Sequence, residues 1–355
     1  MKKPFLNTPG RSALQNENGR FEKQTHELDL SHFEWVDPED VLTLKTKFYE
    51  DQARSIVTSN ESPDLGFTYT LNSYRGCEHG CAYCYARPTH EYLGYSAGLD
   101  FESKIFVKMN APELLREKFM SKSWKPEPIF ISGITDCYQP IERKLELTRR
   151  CLEIFNEFNN PLFIVTKNHL VTRDIDILSE LAKKKLVSVT LSITTLDVEL
   201  ARKLEPRTSS PPAKLEAIKL LAEAGIPTGV NVAPTIPGLT DHEMPKILEA
   251  AAHAGATRAG FVVLRLPHSV KDIFVEWIKS NYPEKADRVI NYIKEMRGGK
   301  LYDSSYETRM SGVGEKAQSI ANVFEVFTKR YNLNLTSSKL TTKLFKRPSH
   351  QLELL

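Results

Sequence analysis

The segment Asn72–Tyr92, NSYRGCEHGCAYCYARPTHEY, places Cys77, Cys81 and Cys84 within eight residues, three of the chain's five cysteines. The spacing C-x-x-x-C-x-x-C offers three thiolates from one loop and no fourth. A structural zinc site takes four ligands, usually as two separated pairs, and His79, wedged between the first two cysteines, is badly placed to close a tetrahedron with its own neighbours. A four-iron cubane is different, because three thiolates hold three irons and the fourth iron stays open to an exogenous ligand. Gly76 and Gly80 suit a loop that wraps its backbone closely around such a cluster, and Tyr83 supplies a flat apolar face beside the third ligand.

Other residues invite functional readings. His90 and Glu91, just beyond the cysteines, are candidates for bracing the loop or for acid–base work. His268 follows LRLP, where it would face a substrate or simply solvent. Gln139 and Glu142 in YQPIE read first as loop and helix-start residues. Cys151 falls on the apolar stripe of a helical segment and reads as core. None of these alone names a substrate.

The elements that must position the cysteines follow from periodicity. Short β-branched runs, FTYTLNSY, PIFISGI, LFIVTK, VSVTLSITT, TGVNVAPTI and GFVVLRL, alternate with helical segments. In KLELTRRCLEIFNEF, Leu145, Thr148, Leu152, Phe155 and Phe158 recur at threes and fours, the spacing of one buried stripe. Ser210 before Pro211 predicts an N-cap, Gly225 a helix stop, and Thr240 with Glu243 a capping box. Strand and helix alternation with tight loops predicts an α/β fold, a partial (β/α)6 barrel of parallel strands, with a doubly wound open sheet as the alternative. The cysteines then lie in the first βα loop, where barrel enzymes assemble their sites.

The predicted organisation is a polar N-terminal arm over 1–62, the barrel over 63–268, a helical cap over 269–335 and a basic tail over 336–355. After Phe327 the chain carries Lys329, Arg330, Lys339, Lys343, Lys346 and Arg347 with no acid before Glu353. Such a tail suits either phosphate or a solvated, frayed terminus.

At 355 residues and 41% apolar, the chain buries a core without staples. An odd cysteine count with three so close together fits a reducing compartment better than a disulfide framework. No segment approaches the ~18 apolar residues of a membrane span, so the expectation is a soluble cytoplasmic protein with no membrane contact. A net charge of +3 neither demands nor excludes a nucleic-acid partner.

With C-x-x-x-C-x-Tyr-C at the end of a first strand, the sequence resembles the radical S-adenosylmethionine (radical SAM) superfamily. It is similar in particular to the spore photoproduct lyase-like branch, often labelled DNA repair photolyase, and to a bacterial subgroup within it. The likeness runs through TDCYQPIE, VTKN, SITTLD, EPRTSSP, PTIPGLTD, LRLP and RMSGVG. It implies a 4Fe-4S cluster on Cys77, Cys81 and Cys84, SAM chelated to the open iron, reductive cleavage to a 5'-deoxyadenosyl radical, and hydrogen abstraction from a substrate. A one-electron reductant of the flavodoxin or ferredoxin type follows as partner.

Carried over position by position, Tyr83 would pack near the adenine, and Gly133, Thr135 and Asp136 would hold the SAM amino group. A carboxylate beside an ammonium forms a charge-assisted hydrogen bond, which gives Asp136 a physical reason to be there. Lys167 and Ser192 fall where the branch contacts the methionine carboxylate and ribose, and Arg207 is a candidate bidentate partner for the same carboxylate. For each polar residue outside the cysteine loop, capping or a surface ion pair is the competing role.

Spore photoproduct lyase returns hydrogen to its substrate radical from a cysteine at the head of a C-T-S-D run, with tyrosines in the relay. Tyr83 and Tyr85 flank Cys84 as that relay requires. Gly133 stands in place of the cysteine, and Cys137, close by, is the substitute candidate or an ordinary loop residue. A nucleic-acid lesion is the expected substrate class, with a peptide or small metabolite as alternative. From another class, a non-catalytic adaptor would hold zinc with the three cysteines and a distant histidine.

Overall fold

The computed structural model describes residues 10–17, 19–21, 44–335 and 339–348. The strands are β1 Lys47–Glu50, β2 Val57–Ser59, β3 Tyr69–Leu71, β4 Tyr74–Arg75, β5 Lys104–Val107, β6 Ile129–Ile131, β7 Leu162–Thr166, β8 Val187–Ser192, β9 Thr228–Thr235 and β10 Arg258–Val263. All six predicted runs form strands of one sheet, in the order β10-β9-β8-β7-β6-β3-β2. From β3 to β10 the neighbours pair in parallel, and β2 adds antiparallel to β3. Each successive strand is laid on the same side of the last. A doubly wound sheet would reverse direction at a switch point, so this order is that of a partial (β/α)6 barrel. β1, β5 and β4 form a separate small sheet.

The outer face of the sheet is buried beneath the helices, while inner-face residues such as Phe130 and Val165 are half-buried and line a cavity. Ile129, Ile131, Leu162, Ile164, Val187, Val189 and Leu191 are fully buried or nearly so and meet the apolar faces of the outer helices. The predicted helical stripe is real: Thr148, Leu152, Phe155 and Phe158 are buried, with Cys151 among them. The helix starts later than the pattern implies. A short turn Glu142–Leu145 ends at Glu146, in the left-handed region at φ 51°, and the main helix runs Leu147–Phe158. Glu142 explains the break, because its buried carboxylate accepts from the Thr148 amide at 3.0 Å and caps the second helix from the first.

Two predicted caps differ. Ser210 sits in the N-cap position ahead of Pro211, but its side chain makes no capping hydrogen bond. Glu243 does not reach back to Thr240; its carboxylate accepts from Thr195 Oγ1 at 2.6 Å and the Leu196 amide at 2.7 Å. It ties two βα loops together instead of closing its own helix.

Helices Val270–Asn281 and Pro283–Glu295 pack on each other and share an apolar cluster with Cys81, Ala82 and Tyr83 of the cysteine loop. Helix Gly314–Arg330 lies on helix Met244–His253 at the barrel's outside. In the described part of the tail, Phe345 meets the rings of Phe119 and Phe158, and Arg347 donates to the carbonyls of Phe119, Ser121 and Trp124. Arg347 is a clamp on the barrel wall and not a cation waiting for phosphate. The rest of 336–355 lies outside the described residues. Among the described residues, no helix is long and apolar enough to cross a membrane.

Much of the arm 1–62 also lies outside the described residues, but Arg11, Ser12, Ala13 and Leu14 are buried. The Ser12 and Ala13 amides donate to the carboxylate of Glu102 at 3.3 and 3.0 Å, and Ser12 Oγ donates to the Gly80 carbonyl. This strap crosses Gly98, whose added Cβ would sit 2.2 Å from the Gln15 carbonyl oxygen. A side chain at Gly98 would therefore meet the backbone of the strap directly. Gly98→Ala is expected to lower stability by about 1–3 kcal/mol in urea unfolding and to speed hydrogen exchange at the Ser12 and Ala13 amides. Unchanged exchange would show that the strap is not held at this crossing.

Candidate active site

The cysteine loop follows β3 and β4, at the end of the sheet where the parallel strands point their C-termini. Gly76 and Gly80 both take positive φ, 77° and 64°. A Cβ on Gly76 would lie 3.0 Å from the Phe101 carbonyl, and one on Gly80 would lie 2.8 Å from a Glu102 carboxylate oxygen. Both positions therefore demand glycine by conformation and by contact.

Arg87, the arginine after the third cysteine, has no solvent exposure. Its Nε and Nη2 donate to the Cys81 carbonyl at 3.0 and 2.8 Å, and Nη1 donates to the carbonyls of Ala97 and Gly98, both at 3.0 Å. Its charge is met by the equally buried Glu102. Gln139 props the loop from the other side: its Oε1 accepts from the Glu78 amide at 2.9 Å, and Thr135 Oγ1 donates to the Gly76 carbonyl at 2.7 Å.

Cys77, Cys81 and Cys84 line one cavity of about 650 Å3 together with Tyr83, Tyr85, Gly133, Thr135, Asp136, Lys167 and Ser192. Burial is the main influence pushing all three thiols above their ordinary range. A positive centre is what would offset that cost and hold them as thiolates. Among the described residues, no three His, Cys, Asp or Glu side chains gather closely enough for a single metal ion. Three clustered thiols on a glycine-wrapped loop, facing open space, fit the wider footprint of an iron–sulfur cluster.

Asp136 is a hub. Its Oδ1 accepts from Thr166 Oγ1 at 2.7 Å and the Tyr138 amide at 2.9 Å, while Oδ2 takes the Lys167 amide at 2.8 Å and faces His79 Nδ1 at 3.4 Å. Burial alone would push this carboxyl up, but His79 and the amide and hydroxyl donors hold it below the usual carboxylate range. Tyr85 is half exposed, and its hydroxyl donates to the Gly133 carbonyl at 2.8 Å.

Beneath the cavity lies a group that the sequence reading missed. Glu205 is almost fully buried and meets Lys167 Nζ at 3.1 Å and the equally buried Lys214 Nζ at 2.6 Å. It also accepts from Thr194 Oγ1 at 2.5 Å and from the Tyr83 hydroxyl. Desolvation would raise this carboxyl, yet the two lysines hold it far below its ordinary 4.5. Lys167 further donates to the Ala233 carbonyl at 2.9 Å. Neither Glu205 nor Lys214 stands out in sequence, because each sits in a charge-rich stretch that reads as surface.

Two expected site residues are elsewhere. Cys137 packs in the apolar barrel wall, with its carbonyl accepting from Thr148 Oγ1 at 2.7 Å, and it does not line the cavity. The chain turns inward after Asp136 to start the next helix, which carries this thiol away from the site. Arg207 lies behind the cysteine loop and not in the cavity, at 3.3 Å from the buried carboxylate of Glu78. Its amide donates to the His79 carbonyl at 3.3 Å, so the Glu205–Ser209 turn runs underneath the loop and points the guanidinium outward.

Of the remaining candidates, His90 is buried against Tyr95, Phe101 and Phe106, and burial holds its pKa down to about 4. A neutral ring in that setting packs the loop's outer side. Glu91 pairs with Arg20 of the strap and accepts from Ser269 Oγ at 2.9 Å, joining strap and cap.

A family model described as the radical SAM superfamily matches residues 71–251. The chain belongs to the radical SAM superfamily. An uncharacterised protein of Mycobacterium tuberculosis is 37% identical over 244 residues, 68% of this chain and 71% of its own length. The radical SAM Nalpha-GlyT isomerase of Pseudomonas phage M6 is 25% identical over 256 residues, covering 71% of this chain and 51% of the phage protein. A solved spore photoproduct lyase variant with bound AdoMet and dinucleoside spore photoproduct superposes with a TM-score of 0.60 at 17% identity, over 86% of this chain and 84% of the other. The two share a fold. Membership in the superfamily makes this an enzyme and implies SAM and an iron–sulfur cluster.

The Glu205 group carries a pH dependence whose sign is fixed. A carboxyl whose folded value is depressed stabilises the fold above its unfolded value and loses that contribution as pH falls through the folded one. Stability should therefore decline progressively as pH drops below about 4.5. Glu205→Gln should cost about 3–5 kcal/mol at pH 7, because two buried ammonium groups lose their counter-charge, and should flatten the acid decline. Urea unfolding at pH 7 and across the acid range reads both effects, and an unchanged midpoint at pH 7 would contradict them.

Proposed function

We propose that this radical SAM enzyme binds a 4Fe-4S cluster through Cys77, Cys81 and Cys84, cleaves SAM reductively, and abstracts hydrogen from a nucleic-acid base or lesion. The observation that carries this reading is the shared cavity. The three thiols open onto the same space as Asp136, Lys167 and Ser192, at the C-terminal end of the parallel strands. When bound, the cluster and SAM supply one-electron cleavage of the sulfonium to methionine and a 5'-deoxyadenosyl radical.

The protein's own residues shape that chemistry. Lys167 presents an ammonium at the wall, with Glu205 and the Ala233 carbonyl fixing its position, and suits the carboxylate of SAM. Ser192 ends β8 in the cavity wall and offers a hydroxyl to the ribose. Asp136, already filled by protein donors, organises His79 and Lys167 around the ligand rather than gripping it alone.

Tyr83 turns its hydroxyl to Glu205 and lines the cavity with the three cysteines. With glycine at 133 and Cys137 in the wall, the phenol of Tyr85 would return a hydrogen atom to a substrate radical, leaving a tyrosyl radical that the external one-electron reductant and a solvent proton restore. The apolar lining, from Phe67, Phe130, Val165 and Leu264, limits the approach of adventitious hydrogen donors such as small thiols to the substrate radical. A nucleic-acid substrate draws support from the shared fold with a lyase solved with a dinucleoside photoproduct. A flavodoxin- or ferredoxin-type protein would supply the electron.

The test is anaerobic reconstitution with iron and sulfide, followed by SAM and dithionite, with 5'-deoxyadenosine and methionine quantified. The parent protein should form both and show absorbance near 400 nm, whereas Cys84→Ala should form neither. Lys167→Met should raise the SAM concentration needed for half-maximal cleavage by about tenfold or more. A reconstituted protein that binds zinc but no iron would overturn the proposal.

A further inference from the structure

Arg265 lies just after β10 and lines the cavity. Its guanidinium carbon sits 5.5 Å from the centroid of the Tyr85 ring, and Nη1 lies 3.3 Å from Met310 Sδ. Its Nε is buried and has no hydrogen-bond partner. Among the described residues, no carboxylate pairs with this side chain.

The neighbouring arginines are spoken for. Arg309, on the facing segment, binds Asp64 through Nε and Nη2 at 2.6 and 2.5 Å. Arg297 donates to the carbonyls of Leu264, Thr308 and Arg309, and so fixes the strand end and the facing segment against each other. Arg265 thus brings to the cavity wall a guanidinium with no carboxylate in salt-bridge contact among the described residues; Asp64, already held by Arg309, acts on it only at longer range. Such a group is costly to leave unmatched, and its planar fork is complementary to an oxyanion.

Other walls of the same cavity are aromatic. Phe67 and Phe130 stack with centroids 4.3 Å apart and planes 7° from parallel, and both line the cavity. With Tyr85 they offer aromatic faces to a flat ring. A flat ring with an oxyanion beyond its edge is the outline of a nucleotide. We propose that Arg265 is a substrate-binding residue that grips a phosphate and thereby seats the attached base beside Tyr85. This rests on the reading of the cavity as the substrate chamber of a radical SAM enzyme. The phosphate belongs either to a phosphodiester within a strand or to a free nucleotide.

The full chain, cluster-reconstituted and saturated with SAM but without reductant, is titrated calorimetrically with thymidine, thymidine 5'-monophosphate, the dinucleotide thymidylyl-thymidine, and orotate as a flat ring bearing a carboxylate. At least one phosphate-bearing probe should bind about tenfold or more tightly than thymidine. Arg265→Gln should abolish that advantage, and Arg265→Lys should keep part of it. Tighter binding of the dinucleotide assigns a strand, and tighter binding of the monophosphate a free nucleotide; either supports the proposal.

Equal affinity for thymidine and both phosphates in the parent protein would overturn it, as would failure of all four probes to bind. Orotate binding more tightly than both phosphates, or a phosphate advantage that survives in Arg265→Gln, would do the same. If Arg265→Gln loses its near-ultraviolet circular dichroism, Arg265→Lys decides: an undiminished phosphate advantage overturns the fork, and a partial loss supports it. A protein that forms no 5'-deoxyadenosine yet keeps the Arg265-dependent advantage would sink the radical chemistry and leave the phosphate site standing.

Discussion

The buried pair of Arg87 and Glu102 is the interaction on which the site depends. Both side chains are removed from water, a situation tolerated only when every donor and acceptor is matched. Arg87 matches its donors with the carbonyls of Cys81, Ala97 and Gly98 and with Ser12 Oγ. Glu102 takes the strap's amides at Ser12 and Ala13. One ion pair thus fixes the middle cysteine's backbone, the turn entering helix Leu99–Ser103, and the N-terminal strap relative to one another. The loop that carries the thiols is held from outside, and its inner face remains free for a ligand.

A second buried charge group does for the cavity floor what the first does for the loop. Glu205 gathers Lys167, Lys214, Thr194 and Tyr83. Lys167 reaches the cavity from β7, Thr194 follows β8, Lys214 lies on the helix before β9, and Tyr83 belongs to the cysteine loop. The group therefore locks successive βα units in register around the place where the ligand must sit. Preorganised charge of this kind is available to a ligand without further rearrangement.

Much of this was legible in sequence, for identifiable reasons. The barrel strands are apolar, β-branched runs because helices cover their outer face and the inner face lines a largely apolar cavity, and the cysteine spacing has few physical explanations. Residues whose role depends on the path of a turn were not legible. Cys137 and Asp136 are adjacent, yet one enters the wall and the other the cavity, as the chain bends into Glu142–Leu145. Arg207 belongs to a turn that dips beneath the loop, which reverses the direction its position implies. Glu243 satisfies the pattern of a capping box but finds stronger partners in another loop. Lys214 and Glu205 look like ordinary helix-surface charges until the fold buries them against each other.

The strap's contacts have a consequence for how the protein is made. Ser12 and Ala13 leave the ribosome early, but their partner Glu102 lies 90 and 89 residues further along the chain. Lys214, which completes the group beneath the thiols, emerges later still. The clamp can close soon after Cys84 is made, because the strap already exists and Glu102 follows closely, whereas the floor must wait for Glu205 and Lys214. The order of emergence therefore leaves the loop braced on its outer side before anything lies beneath its thiols.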